Sequence, residues 1–291
     1  MAAEPERILG LIMQPLFFGN SNHPLYGVYH KPHRANDLAP RAVVICSPLG
    51  QEYIRSHWNG KLLAKQLARS GAHVLRFDLT GHGDSAGKIR DLKSLQPWIN
   101  DVGQAIAWVR KKSNADNVML IGLRFGATLS ALTAMQRDDV HSLVAWEPVV
   151  DGLSYLRNLR TMHAKMMDLW VTAMKTPNDL EKEEILGFNF KRQLLDEIEQ
   201  TKLDLSKLYL PQLIVDLKSN RQSFSHTEPS LQRVVRTDDE AAWNQLLTME
   251  TAWLRPQTNR LIVKTVADMF DRLKRIGALT VSNNNEMVGA V

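Results

Sequence analysis

One short segment, Val118–Ala127, constrains the fold of this chain more than any other. It begins with apolar residues typical of a buried strand and continues, past Gly122 and Gly126, into the helix-favouring stretch Ala127–Leu132. Glycine at both positions lets the chain turn where no side chain would fit. The pattern predicts a tight turn from a strand into a helix, with Arg124 at the centre of the turn.

The same pattern with serine at its centre, G-x-S-x-G, is the nucleophile elbow of many hydrolytic enzymes. Arg124 stands where that serine would be. A guanidinium group keeps its proton at physiological pH and offers no lone pair suited to attack on a carbonyl carbon. The segment therefore predicts the backbone of such a site without its nucleophile, and we assign no catalytic residue.

Composition excludes several classes of protein. The 291 residues, 44% of them hydrophobic, can form one large domain or one domain with an insertion. Lys and Arg exceed Asp and Glu by only 36 to 31, without a dense basic tract, so we expect no nucleic-acid partner. With Cys46 as the only cysteine, and with a turn and a strand separating His23, His30 and His33, we expect neither a metal nor a cofactor. Met1–Gly10 lacks an apolar signal core and no window approaches about 18 apolar residues, which predicts no membrane span and a cytoplasmic location.

Strands and helices alternate along much of the chain, which predicts a parallel sheet covered by helices on both faces, preceded by a hairpin. The predicted strands are Leu9–Phe18, Leu25–His30, Arg41–Cys46, His73–Asp78, Val118–Gly122, Ser142–Trp146, Gln212–Lys218 and Leu231–Arg236. The predicted helices are Trp58–Ser70, Pro97–Lys111, the one that follows the turn, Ala241–Leu254 and Asn259–Ile276. Residues 1–150 and 207–280 would form the two parts of one core, 151–206 a helical cap insertion without strands, and 281–291 a flexible tail.

A second motif, Asp78–Gly87, reads D-x-x-G-H-G-x-S-x-G. It resembles the loop after the fourth strand of α/β-hydrolases, especially the serine aminopeptidase and monoacylglycerol-lipase-like branch. This resemblance implies the α/β-hydrolase fold, with a mostly parallel sheet, an N-terminal antiparallel hairpin and a helical cap. Within that branch the runs Pro48–Glu52, Gly122–Ala127 and Trp146–Gly152 are most similar to the bacterial exosortase (exopolysaccharide) system-associated hydrolases, which implies a role in surface-polysaccharide production.

The resemblance also implies where a catalytic acid and histidine would stand. The acid would follow the strand that ends near Lys218, but Ser219–Ser223 contains no carboxylate. Asp216 lies inside the strand, where we expect it to have a structural role. The histidine would follow the last strand, but Thr237–Trp243 contains none, and His226 comes too early. The other candidates for a nucleophile are Ser47 and Cys46, at the end of the third strand, and Ser85. We expect Ser85 to hold its own loop and Cys46 to be a core residue.

The groups that bind an oxyanion in this fold are main-chain amides, which survive side-chain substitution. By resemblance they are the amides of Leu49 and Phe125. Together with Arg124 at the start of a helix, they would attract an anionic or acyl ligand.

A buried Arg124 also requires a negative partner. The first candidate is Glu147, which directly follows the predicted strand Ser142–Trp146 and therefore lies at the same edge of the sheet as Arg124. The second candidate is Glu52, in the loop after the third strand. The pair could be a structural salt bridge that closes an inactive site. Alternatively, Arg124 could bind an anionic ligand together with Arg55 or His57.

Three functions remain open at this stage. The first is a non-catalytic α/β-hydrolase homologue that binds an acyl or anionic small molecule or a protein partner. The second is an active esterase, peptidase or acyltransferase with relocated catalytic residues. The third is a protein-interaction scaffold that needs no pocket.

Overall fold

A computed structural model describes residues 13–33, 40–170, 182–217, 231–237 and 258–271. Its centre is an eight-stranded sheet of order β1-β2-β4-β3-β5-β6-β9-β10. The strands, with two more in the cap, are β1 (Met13–Asn20), β2 (His23–His30), β3 (Arg41–Cys46), β4 (Ala72–Phe77), β5 (Val118–Leu123), β6 (Val140–Trp146), β7 (Lys182–Ile185), β8 (Phe188–Lys191), β9 (Gln212–Leu217) and β10 (Gln232–Thr237).

The central sheet has the predicted topology. Strands β1 and β2 form the N-terminal hairpin, and β2 pairs with β4 in antiparallel orientation. All the other pairings, from β4 to β10, are parallel. The observed turn of the hairpin is shorter than the predicted Gly19–Pro24, because Asn20 already pairs with His23. The parallel strands consequently end at one edge of the sheet, where a site can form.

Helices cover both faces of the sheet. They are α1 (Gly50–Arg69), α2 (Gln96–Ser113), α3 (Phe125–Ala134), α4 (Gly152–Trp170), α5 (Arg192–Gln200) and α6 (258–271). On one face Leu63 of α1 and Ile262 of α6 belong to a single apolar cluster. On the other face Trp98 of α2 and Leu129 of α3 belong to a second cluster, which extends into the cap. None of the described helices is long and apolar enough to cross a membrane.

The cap segment 151–206 differs from the prediction that it contains no strands. Helices α4 and α5 are present, but β7 and β8 form an antiparallel hairpin between them. The turn consists of Leu186 and Gly187, with φ of 51° and 85°. Two successive positive φ values match the twist of a two-residue hairpin, and glycine adopts one of them without strain. An antiparallel bridge between Asp151 and Lys202 brings the ends of the segment together.

Helix α1 begins at Gly50, two turns before the predicted start at Trp58. In these added turns the polar side chains of Glu52 and Arg55 are buried, whereas Ile54 and the next residue after the turns, Trp58, are each 56% exposed. The apolar periodicity that identifies a helix is therefore reversed there. The predicted helix Ala241–Leu254 and the tail 281–291 lie outside the described residues.

Candidate functional site

The turn between β5 and α3 has the geometry of an elbow. Arg124 precedes the first helical residue and adopts φ 52° and ψ −123°, a conformation that L-residues rarely enter. Its amide donates to the carbonyl of Trp146 (2.9 Å), and its own carbonyl accepts from Ala127 (3.0 Å). Arg124 thus stands at the start of a helix, at the C-terminal edge of the sheet, as the sequence predicts.

The two glycines of the elbow are required by close packing. A Cβ on Gly126 would lie 2.3 Å from the carbonyl oxygen of Ser47, and a Cβ on Gly122 would lie 2.3 Å from the Cα of Ala127. Neither contact tolerates a side chain, because both are with backbone atoms. The elbow is therefore pressed against the loop after β3, and this contact brings Phe125 near the segment that contains Leu49.

The carboxylate paired with Arg124 is Glu52, not the first candidate, Glu147. Arg124 Nε donates to Glu52 Oε1 at 3.0 Å, and the two side chains are 7% and 3% exposed. Glu147 contributes its main-chain oxygen, 3.4 Å from Arg124 Nη1. Burial alone would lower the pKa of Arg124, but the charges of Glu52 and Glu147 outweigh it and raise that pKa. Arg124 therefore stays charged, and Glu52 is its ion-pair partner.

Tyr155 of the cap helix α4 completes this network. Its hydroxyl donates to Glu52 Oε2 (3.0 Å), and its ring lies 5.7 Å from the guanidinium carbon of Arg124 and 5.6 Å from the ring of Phe125. Burial and the charge of Glu52 raise the pKa of Tyr155, so its hydroxyl remains a donor. Tyr155 is not recognisable from sequence, because nothing in the local pattern links it to the elbow.

Arg55 and His57 both lie on α1, where a spacing of two residues places them on different sides of the helix. Arg55 is buried, and burial lowers its pKa while the charge of Glu52 opposes that shift. His57 is exposed and packs edge-on against Tyr53, whose hydroxyl donates to Asp78. Arg55 therefore adjoins the network through Glu52, whereas the contacts of His57 lead to the loop after β4.

The amides of Leu49 and Phe125 have no hydrogen-bond acceptor within the described parts of the chain. The neighbouring amide of Gly50 is different, because it donates to Nε2 of His82 at 3.0 Å. Burial lowers the pKa of His82 to about 4, so its ring is neutral and can accept. His82, from the second sequence motif, thus holds the loop that contains Leu49. Sequence reasoning did not give it this role.

An apolar cavity lies between this loop and the cap. Its lining includes Leu49 and Gly50 from the core side and, from the cap, Tyr155, Leu156, Leu159 and Phe190. Its volume is about 20 Å³, roughly the space of one water molecule. A larger ligand must therefore displace cap side chains. Arg124 does not line the cavity, because Tyr155 stands between them.

Three hydroxyl groups donate to main-chain carbonyls, and the thiol of Cys46 is buried. Ser130 and Thr128 donate to the main-chain oxygens of Gly126 and Val149. Ser85 accepts from the amide of Tyr26 and donates to the carbonyl of Asp78, so it holds its loop as predicted. Burial raises the pKa of the Cys46 thiol to about 12, which leaves it protonated.

The expected acid and histidine positions, 219–223 and 238–243, and His226 lie outside the described residues. Asp216 is fully buried within β9, and Arg236 lies 3.4 Å from it. This agrees with the structural role predicted for Asp216. Among the residues that the structure describes, no group of three His, Cys, Asp or Glu side chains could hold a metal ion.

Comparison with protein families identifies the family. The model of the serine aminopeptidase S33 family (Hydrolase_4) matches residues 39–226, which contain both sequence motifs and the whole cap segment 151–206. The chain belongs to this family. Membership assigns it to the α/β-hydrolase superfamily, in agreement with the observed sheet, elbow and cap.

Solved structures share the fold at low sequence identity. Est1E of Butyrivibrio proteoclasticus, with bound ferulic acid, is 16% identical, with 90% of this chain and 99% of that chain covered and a TM-score of 0.59. The Pyrococcus furiosus esterase Pf2001 is 14% identical, with 94% and 95% covered and a TM-score of 0.58. These neighbours support the α/β-hydrolase fold.

Curated relatives match only part of their length. A protein of Rickettsia prowazekii described as uncharacterized is 27% identical over 146 residues, which are 48% of this chain and 58% of that protein. A monoglyceride lipase homolog of Monkeypox virus is 26% identical over 151 residues, 52% of each chain. The chain spans about half the length of the curated relatives it matches.

Proposed function

We propose that this chain is a non-hydrolytic member of the family that binds a small acyl ligand beneath its cap. The observation that carries the proposal is the pair of amides of Leu49 and Phe125, without acceptors among the described residues, at an elbow centred on Arg124. Two amides of this kind can bind a carbonyl oxygen whether or not a nucleophile stands beside them. The elbow thus has two amides that can bind a carbonyl oxygen, but no nucleophilic side chain at position 124.

The cavity supports an acyl ligand in particular. Leu49 lines it, and aliphatic and aromatic side chains such as Leu156 and Phe190 form its cap side. A carbonyl group held by the amides would direct its hydrocarbon chain toward this lining. Because the cavity holds about one water molecule, binding would shift cap side chains and bury further apolar surface of the ligand.

Two observations favour binding over catalysis by a relocated nucleophile. Arg124 is held by Glu52 in the place of the nucleophile, and the nearby hydroxyls of Thr128 and Ser130 donate to main-chain carbonyls. A hydroxyl becomes nucleophilic only when a base accepts its proton, and a carbonyl oxygen does not act as that base.

The chemical part of the proposal is tested by activity and labelling. We expect no covalent labelling by a fluorophosphonate probe and no turnover of p-nitrophenyl octanoate. Arg124→Ser is expected to stay inactive, because serine without a base remains weakly nucleophilic. Labelling of any serine in the native chain would overturn the proposal in favour of an active hydrolase.

Ligand binding is tested with octanamide, an uncharged acyl compound that resists hydrolysis. We expect saturable binding by isothermal titration calorimetry and loss of binding in Leu159→Trp, which fills the cavity. Met135→Trp, at an exposed position, is the matched control and should bind normally. Absence of octanamide binding in the native chain would contradict the proposal and favour the scaffold.

For the cellular setting, we propose bacterial surface-polysaccharide production, with the cytoplasm as the location. The support is the similarity of the three runs named above to exosortase-associated hydrolases and, for the compartment, the single cysteine. In a bacterium that carries this chain, deletion should reduce the surface polysaccharide. The native chain should restore it and Leu159→Trp should not. Full rescue by Leu159→Trp would indicate a scaffold that needs no ligand.

A further inference from the structure

The charge of Arg124 is already compensated inside the protein. Glu52 binds it at 3.0 Å, and the negative charges of both Glu52 and Glu147 act on it. All three residues are at most 5% exposed. Water therefore does little to screen these charges from one another or from a ligand that approaches them.

Glu52 is also fixed in position. Its Oε1 accepts from Arg124, and its Oε2 accepts from Tyr155, which lines the cavity. The charge of Arg55 acts on Glu52 from the same helix, and Arg55 has further interactions of its own. To bind Arg124 in place of Glu52, a ligand would have to break the hydrogen bond between Arg124 and Glu52 and leave the buried carboxylate without that partner.

We propose that Glu52 makes this site select uncharged acyl ligands and exclude carboxylates. A ligand carboxylate near the elbow would place a negative charge beside the carboxylate of Glu52, which already binds Arg124 at 3.0 Å, whereas an uncharged carbonyl brings no charge. The inference rests on the proposed binding function and replaces the anionic ligand expected from sequence. Arg124 is then the partner of Glu52 rather than a receptor for the ligand.

Octanamide and octanoate provide a direct test, because they have nearly the same shape and differ in charge at neutral pH. We expect the native chain to bind octanamide at least tenfold more tightly than octanoate in calorimetric titrations at pH 7.5. In Glu52→Gln, which removes the charge and keeps the size, the ratio of the two affinities should shift at least tenfold in favour of octanoate. Glu199→Gln, which removes a carboxylate of the cap that binds Arg160, is the matched control and should keep the native selectivity.

The outcomes separate this inference from the proposed function. Equal binding of the two ligands by the native chain, or tighter binding of octanoate, would overturn the selectivity and leave the binding function intact. Failure of the native chain to bind either ligand would instead contradict the binding function. Circular dichroism would show whether Glu52→Gln folds. If it does not, the selectivity is decided by comparing octanamide and octanoate binding in the native chain alone.

Discussion

Replacing Glu52 by glutamine should destabilise the fold strongly. Glu52 and Arg124 are 3.0 Å apart, with side chains 3% and 7% exposed. Removing one charge of a buried pair leaves the other poorly compensated, which costs about 3–5 kcal/mol. Because Glu147 still faces Arg124, we expect the lower end of that range, about 3 kcal/mol. Glutamine keeps the size of the side chain and an acceptor for Tyr155, so the loss reports the charge and not a cavity.

The loss can be measured by urea unfolding at pH 7, followed by circular dichroism and tryptophan fluorescence. A loss of about 3 kcal/mol should also lower Tm by about 6–12 °C. A double-mutant cycle with Arg124→Met isolates the pair. The double variant should be more stable than Glu52→Gln alone, since a buried pair can be replaced by uncharged groups at little cost.

Asp151→Asn is the matched control for loss of a carboxylate partner. Asp151 pairs with Lys202 at the surface, where the side chains are 39% and 62% exposed, and asparagine can still accept from the amide of Ser154. We expect a loss below about 1 kcal/mol. If Glu52→Gln cost no more than this control, or if the cycle gave no coupling, the assignment of Glu52 as the partner of Arg124 would be refuted.

Two further predictions concern the elbow and the response to acid. Gly126→Ala should lower the free energy of unfolding by about 1–3 kcal/mol or more in urea, because the added Cβ would lie 2.3 Å from the Ser47 carbonyl oxygen. Gly60→Ala, in an open position on α1, is the control and should raise it by about 0.5–1 kcal/mol. Equal effects of the two substitutions would contradict the close contact at Gly126. Burial, together with nearby cationic side chains for His30, lowers the folded-state pKa of His30 and His82 from 6.5 to about 4, so the fold favours neutral rings. The stabilisation by the neutral rings is complete above pH 6.5 and is lost as the pH falls through 4, about 3 kcal/mol for each histidine. His30→Phe should make the free energy of unfolding fall less steeply with decreasing pH in this range. An unchanged pH dependence in His30→Phe would exclude the contribution of His30.

The elbow could be predicted from sequence because its requirements are local. Gly122 and Gly126 are needed by backbone contacts that recur wherever a strand turns this tightly into a helix. The buried strands were recognisable for a similar reason, since continuous apolar runs suit a sheet covered on both faces. The order of the parallel strands then brought Arg124, Glu147 and the segment of Leu49 to one edge.

The partner of Arg124 could not be predicted in the same way. The first two turns of α1 bury Glu52 and Arg55 and expose Ile54 and Trp58, so a search for an apolar face starts the helix too late. Glu52 was therefore assigned to a loop, although it lies in the first turn of the helix. Tyr155 is separated from Glu52 by a long stretch of sequence, and only the packing of the cap helix on the core brings the two residues together.

The conformation of Arg124 shows why the shape of an elbow is weak evidence of hydrolysis. Its φ of 52° is a strain of about 1–3 kcal/mol, which in a hydrolase serves to present the nucleophile. Here the strain persists without that use. The hydrogen bond from its amide to Trp146 and the contact of Gly126 with Ser47 fix the backbone whichever side chain position 124 carries. Packing therefore maintains the turn, and with it the two amides, while the side chain is free to change. On the function proposed above, the two amides that this turn positions would hold the acyl group, although the turn carries arginine where the G-x-S-x-G pattern has serine.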